Sequence, residues 1–551
     1  MDDLDDSYKP KFTRSRTGCL RCRKGKHKCD EEKPICKRCS NVGKECVYPP
    51  PPTPKPPTRP AKRRRTAIQT EDQVEEIVRQ NDTGQLDNSL SSNGSTGGET
   101  TLPFFLTPSD YLTLSFPDAQ ERDLMRHLLC FGNVVMYSVP VQNEPIQFLH
   151  LARCLQHSRG FSLESDALLL SLISIAAGHK SSLIAQQERR YLDQLPSFKW
   201  DVLSLNDNRH PEILNSFSAS QSAQRSISDH FSMTSLSICK TTVAFRSNSG
   251  TNGFTTEMSN LLLTSCLAII IAQCLNAGTM WKQSYEIACG LINLRGGPAK
   301  MLEEARTLSN EEVSRIRLLL ENFVVMDVCQ CLASGAAPSL MKEPFAMWWY
   351  DYISENNDTV HNSYGVDRAL VEVANRVNML VHESSILGTV LDKAYLDTHN
   401  SKVQNVLQEL YIWETSFSQQ TIGNLRVVFG NRVMVNMLKV VVYVDLLKKR
   451  HSDQEVQESA WAALTAFKDG KELDHGVGLL LAAIITGSVL QDKVKREEAR
   501  GMITRLRTTA DYGYDVEEAV AMLDKIYRLR DEGMVDPSWR IVTGTSGFLL
   551  F

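Results

Sequence analysis

The chain has 551 residues, 42% of them hydrophobic and 23% charged, too apolar for a wholly disordered polymer and ordinary for one with a sizeable core. Unbroken apolar runs stop short of the roughly 18 residues a membrane span needs; the nearest, Leu261 to Leu275, is interrupted by Thr264, Ser265 and Gln273, so no spanning segment and no membrane partner are expected. The net charge of −4 conceals a gradient, because Lys9 to Arg65 holds 19 Lys and Arg against four acids, net +15, whereas residues 66–551 sum to −15.

A basic head on an acidic body reads as a polyanion-binding module joined to something that binds no polyanion. The first residues, Met1 to Asp6, are acidic where a secretory signal would be basic and then apolar. Export and disulfide chemistry are therefore not expected, and residues 1–15 are assigned to a disordered N-terminus.

Six of the fourteen cysteines then fall within 28 residues, at Cys19, Cys22, Cys29, Cys36, Cys39 and Cys46, spaced C-x2-C-x6-C-x6-C-x2-C-x6-C. This is two tandem copies of C-x2-C-x6-C, and each copy brings three thiolates together. A tetrahedral zinc needs four ligands. Six sulfurs can satisfy two Zn(II) ions if two sulfurs are shared, and the flanking Lys and Arg would lower the thiol pKa values. His27 sits inside the x6 gap of a complete thiolate set and reads as a surface residue facing DNA. A disulfide knot or a RING-type zinc module fits compartment and spacing less well.

The segment from Thr17 to Val47, with its six cysteines, basic run and Lys33-Pro34-x-Cys36 loop, resembles the fungal Zn2Cys6 binuclear zinc cluster transcription factors. The resemblance implies that Cys19 and Cys36 bridge both metals, that Cys22 and Cys29 complete one site, and that Cys39 and Cys46 complete the other. It also implies how the head, residues 16–48, reads double-stranded DNA. Cys22 to Lys28 is a short helical stretch whose basic side chains can enter the major groove and donate to guanine O6 and N7. Lys26 stands at the family's usual base-reading position for CGG triplets. Arg23, Lys24 and Lys28 are candidates for phosphate or neighbouring base contacts, and Arg16 and Arg21 for backbone positioning. Gly25 stands where family members often carry Arg or Lys, which removes one potential contact.

Residues 49–101 are read as a linker. Tyr48 to Ala61 is dominated by proline and favours an extended spacer; Lys62, Arg63, Arg64 and Arg65 fit a nuclear import signal and an extra phosphate grip. Thr66 to Gln80 offers about two heptads, too few for a coiled coil, and residues 81–101 are rich in Ser, Asn, Gly and Thr.

From Leu102 to Phe551 apolar residues recur at helical spacing, which predicts one large all-α domain. Trp281, Tyr285, Ala288, Cys289 and Ile292 form one face, stopped by Gly296-Gly297-Pro298; Asp515 is placed as a helix cap with Glu518 three residues on. Other helices are expected near 121–137, 165–178, 258–275, 311–332, 367–390, 401–414, 431–449, 456–468 and 477–508. Ala167 to Lys180, Trp281 with Gly290 to Pro298, and the run from Leu479 through Tyr512-Gly-Tyr514 to Trp539 resemble landmarks of the fungal-specific transcription factor regulatory domain. That resemblance implies a helical region that senses a small molecule and recruits or withholds the transcription machinery.

The body carries no H-E-x-x-H, no G-x-S-x-G and no Walker A loop; Gly476-Val-Gly478 lacks a third glycine. His179, expected at a helix end, reads as structural, the eight distal cysteines as small buried hydrophobes, and Cys329 with Cys331 as a weak candidate redox pair. No catalysis is expected. The sequence thus describes a nuclear, zinc-dependent DNA-binding transcription factor, favoured as an activator of metabolic or secondary-metabolite genes because its acidic parts suit coactivator contact. A second copy of the chain and a small-molecule effector are further candidate partners, and a zinc-stabilised protein adaptor or repressor is the alternative.

Overall fold

Apolar stripes at helical spacing need partners, and this chain supplies them from other helices. The computed structural model describes residues 22, 29–30, 32–33, 35–42 and 46, and then 108–136, 158–194, 209–247, 255–276, 278–342, 347–351, 358–387, 393–416, 425–469, 479–509 and 513–544. The chain divides into two compact units, Met1–Thr101 and Leu102–Phe551. No β-strand occurs among the described residues. The expected linker 49–101, with its proline run and the heptads of 66–80, lies outside them.

Among the described residues of the first unit lies a short helix, α1 (Lys37–Asn41). The second begins with α2 (Pro108–Ser115), α3 (Ala119–Met136), α4 (Leu163–Gln194), α5 (Arg209–Ser247) and α6 (Thr256–Asn276). Helix α4 packs most extensively on α5, and then on α6. The α4/α5 seam is built from serines: Ser174 Oγ donates to the Ser228 carbonyl at 2.8 Å, Ser228 Oγ donates back to the Ser174 carbonyl at 2.7 Å, and Ser235 Oγ donates to the Ala167 carbonyl at 2.6 Å. Small side chains that satisfy their own hydroxyls let two backbones approach closely. A Cβ on Gly178 would sit 3.2 Å from Ser228 Oγ and 3.3 Å from Leu275 Cβ.

Helices α7 (Trp281–Leu294), α8 (Pro298–Arg306) and α9 (Asn310–Ser334) follow. Gly296 and Gly297 both adopt positive φ, at 89° and 91°, and Pro298 opens α8, so the expected stop is real. Ser309 caps α9 by accepting from the Glu312 amide at 3.1 Å, and Gly335 ends it at φ 77°. The helix was expected at 311–332 from its apolar spacing, and the capping pair and the glycine set its observed ends.

A 3-10 turn (Met347–Trp349) leads to α10 (Thr359–Tyr364), α11 (Arg368–Leu387) and α12 (Lys393–Ser416). Here α9 and α11 share a buried charge cluster. The Glu321 carboxylate receives Arg317 Nε at 2.7 Å and Arg368 Nη1 at 3.0 Å, and Arg368 also pairs with Asp358 at 2.7 Å. Arg368 additionally donates to the Trp349 carbonyl and lies 5.1 Å from that indole ring's centroid. Four more elements, α13 (Leu425–Val441), a π turn (Val442–Leu446), α14 (Gln454–Asp469) and α15 (Leu480–Ser488), precede α16 (Lys493–Thr509), α17 (Gly513–Asp531) and α18 (Arg540–Thr543). Trp539 is fully buried and donates Nε1 to the Leu332 carbonyl at 3.3 Å, while Thr543 Oγ1 donates to the Ala333 carbonyl at 2.7 Å. The end of α9 is thereby held by residues more than 200 positions away.

Several expectations need correction. The stretch 477–508 is not one helix: α15 and α16 are separated, and the carbonyls exposed at the break are taken by arginines. Arg530 donates to Ser488 and Leu490 at 2.7 Å each, and Arg496 donates to Leu490 at 3.0 Å. Helix α17 starts at Gly513, which puts Asp515 in its first turn rather than at its cap. His179 lies within α4, not at a helix end. The whole of α5 was missed, as were α2, α8, α10 and α18. The membrane reading also changes. Three helical segments, Leu163–Leu192, Thr256–Asn276 and Leu425–Leu446, are long and apolar enough to cross a membrane, yet 83%, 83% and 72% of their most apolar windows are buried inside the protein. Counting unbroken runs missed α6 because Thr264 and Ser265 interrupt it, although both satisfy their hydroxyls on the Asn260 and Leu261 carbonyls of the same helix.

Candidate metal centre

The described residues of the N-terminal unit bury chiefly sulfur. Among the described residues its core consists of Cys22, Cys29, Cys36 and Cys39, with Cys46 packed against them. The Cys22, Cys29 and Cys36 thiols lie within 4.8 Å of one another, as do those of Cys36, Cys39 and Cys46. Cys36 belongs to both sets and is fully buried.

Two sulfurs bound at about 2.3 Å to one tetrahedral zinc stand roughly 3.8 Å apart. Cys22 Sγ and Cys36 Sγ are separated by 3.8 Å, far beyond the roughly 2.05 Å of a disulfide. Backbone amides support the charged sulfurs: Cys39 N donates to Cys36 Sγ and Cys36 N to Cys46 Sγ, each at 3.4 Å. Hydrogen bonds to a thiolate favour its ionised form. The donor set therefore fits two Zn(II) ions with Cys36 shared, held by Cys22 and Cys29 on one side and by Cys39 and Cys46 on the other. The remaining expected ligand, Cys19, lies outside the described residues.

Local sequence explains the arrangement. Cys36 is the N-cap of α1, with extended backbone at φ −67° and ψ 146°, and Cys39 follows three residues later, so C-x2-C places two sulfurs on one turn. The Lys37 amide is taken by Asp30 Oδ2 at 2.9 Å, a contact that the sequence reading missed. Asp30 was counted there only as an acid among bases. The DNA-contact candidates Arg16, Arg21, Arg23, Lys24, Lys26, His27 and Lys28 lie outside the described residues, as do Lys62, Arg63, Arg64 and Arg65.

Of the distal cysteines, Cys130 is exposed, against the expectation that all eight are buried, whereas the thiols of four others are held in their neutral form. Burial pushes the Cys329 thiol up to about 12 and that of Cys289 up to about 11; Cys331 is raised further by burial and then by Asp327. The Cys266 thiol is held well above its usual value, first by a hydrogen bond to Cys239. Asp327 is itself engaged as an acceptor from Tyr285 at 2.6 Å and from the Ser339 and Leu340 amides at 2.7 and 3.0 Å. His179 is 2% exposed and its Nδ1 lies 3.0 Å from His127 Nε2. Burial holds His179 at about 4 and His127, with help from His179, at about 3, so both rings are neutral near pH 7.

A sulfur-cored head that accommodates two metals, followed in sequence by a body that is helical throughout its described elements, defines a metal-organised module joined to a helical domain. Residues 17–55 match the fungal Zn(2)-Cys(6) binuclear cluster domain, which binds two zinc ions, and residues 131–550 match the fungal specific transcription factor domain. The chain belongs to the fungal zinc-cluster transcription factor family.

It is 55% identical over 47 residues to the transcription factor lfc1 of Flammulina velutipes, which is 8% of this chain and 17% of that protein. It is 59% identical over 34 residues to the transcription activator AMTR1 of Alternaria alternata, 6% of this chain and 4% of that one. A regulator of Emericella nidulans, described as specific to the aspercryptin biosynthesis cluster, is 54% identical over 33 residues, 6% of this chain and 5% of its own length. The chain thus covers only a small part of these relatives. No solved structure matches it.

Proposed function

We propose that the protein is a zinc-dependent, sequence-specific regulator of RNA polymerase II genes that binds double-stranded DNA through residues 16–48. The observation that carries this reading is the Cys36 thiol, common to two three-thiol sets, because two metals sharing a sulfur make a rigid scaffold from a segment too short to have another core. Pinned at Cys22 and Cys29, the intervening basic stretch presents Lys26 to guanines of CGG-like half-sites, with Arg23, Lys24, His27 and Lys28 beside it and Arg16 and Arg21 on phosphates. Lys62 to Arg65 serve nuclear import, residues 1–15 and 49–101 act as tail and spacer, and residues 102–551 regulate output through coactivators or the transcription machinery. Activation of secondary-metabolite genes is supported by the relatives named as a transcription activator and as a biosynthesis-cluster regulator.

The test is unbiased selection of DNA ligands by the full chain, with and without a zinc chelator, followed by Lys26→Ala. CGG-like enrichment that chelation abolishes is expected. Lys26→Ala should weaken the preferred site by about 1–3 kcal/mol and leave non-specific binding with its steep salt dependence. Absence of DNA binding at low salt would refute the reading and favour a protein adaptor.

A further inference from the structure

Asp30 follows Cys29, a ligand in one thiol set, and its carboxylate accepts the amide of Lys37 at 2.9 Å. Lys37 is the first residue of α1, which carries Cys39 and is capped by the shared Cys36. One exposed acid therefore spans from the loop of one metal lobe to the helix that opens the other. The Lys37 side chain adds little to this, since its ion pair with Glu32 at 3.3 Å is solvent-exposed on both sides.

From this contact we infer that Asp30 is a positioning residue for the second zinc lobe, coupling retention of the zinc held by Cys36, Cys39 and Cys46 to the lobe of Cys22 and Cys29. Without the carboxylate the first amide of α1 loses its acceptor, the Cys36-to-Cys39 turn is left to its own internal contacts, Cys39 N to Cys36 Sγ at 3.4 Å and Ser40 N to the Cys36 carbonyl at 2.9 Å, and the second metal gains an independent route of escape. The tandem repeat makes the coupling one-directional. The residue after the last cysteine of the second copy, equivalent to Asp30 in the first, is Val47, which has no side-chain acceptor. A carboxylate next to an anionic sulfur cluster is tolerated because it faces an amide donor at a helix start.

The inference rests on the binuclear cluster reading, and zinc transfer from the purified full chain to a chromogenic chelator separates the two. A wild-type chain holding fewer than two zinc ions would overturn the cluster reading itself. If it holds two, they should leave in one phase. Asp30→Ala should give two phases, one zinc leaving at least about tenfold faster than the other, or should purify with a single zinc. Asp30→Asn, whose amide oxygen still accepts, should stay within about threefold of wild type. Single-phase release of two zinc ions from Asp30→Ala, isolation of that variant with no zinc, or equal rates for Asn and Ala would each overturn the inference.

Discussion

Replacing Cys36 with serine removes a sulfur from both thiol sets at once, whereas Cys39→Ser removes one from a single set. In Cys39→Ser the set of Cys22, Cys29 and Cys36 is intact, and one zinc should remain. In Cys36→Ser both sites lose a thiolate together with the 3.8 Å Cys22–Cys36 contact, and zinc should fall from two per chain to near none. Structural zinc contributes on the order of 10–16 kcal/mol to small metal-folded peptides, and no other apolar cluster was found among the described residues of this unit to replace it. The assay is metal content after dialysis against a competing chelator, with DNA binding measured in parallel. All seven tryptophans lie between residues 200 and 539, so their emission reports the helical unit alone and should be unchanged in both variants. Equal zinc content in Cys36→Ser and Cys39→Ser would refute the shared-sulfur argument.

Two further predictions concern the helical unit. Arg368→Ala leaves the fully buried Glu321 carboxylate with Arg317 as its remaining guanidinium partner, and breaking a buried pair in this way costs about 3–5 kcal/mol; a loss below about 1 kcal/mol in urea titrations followed by tryptophan emission would contradict it. His127 and His179 are held at about 3 and about 4 when folded, below the ordinary 6.5, so the unfolded chain takes up protons first as pH falls. Stability should be insensitive to this pair above pH 6.5 and should drop between pH 6.5 and about 4. Replacing both histidines by Gln should shrink the difference in urea midpoint between pH 7.5 and pH 5, and an undiminished difference would discard the pair as its source.

Legibility followed the range of the interactions involved. The thiol sets were readable because C-x2-C and x6 spacings act within a few residues, and α9 was readable from its apolar residues at helical spacing. Helix α5 escaped because its buried face is rich in serine, Ser228, Ser232 and Ser235 beside Leu236 and Cys239, and serines become interior here only when α4 supplies carbonyls. The break after α15 depends on Arg530, some 40 residues downstream, and nothing near Ser488 announces it. Asp30 was overlooked for a related reason: its partner is a backbone amide seven residues away, which carries no sequence signature.

The attachment of Trp539 and Thr543 to the end of α9 has a consequence for biosynthesis. Helix α9 leaves the ribosome long before the residues that cover its C-terminal carbonyls exist, so the helical unit cannot close during the synthesis of its first half. The C-terminal end of α9 stays uncovered through some 200 further residues of translation, although α4, α5 and α6 can by then already pack on one another. That interval makes the protein a natural client for chaperones. A premature stop upstream of Trp539 should then leave the end of α9 uncovered and destabilise the helical unit rather than merely trim its tail.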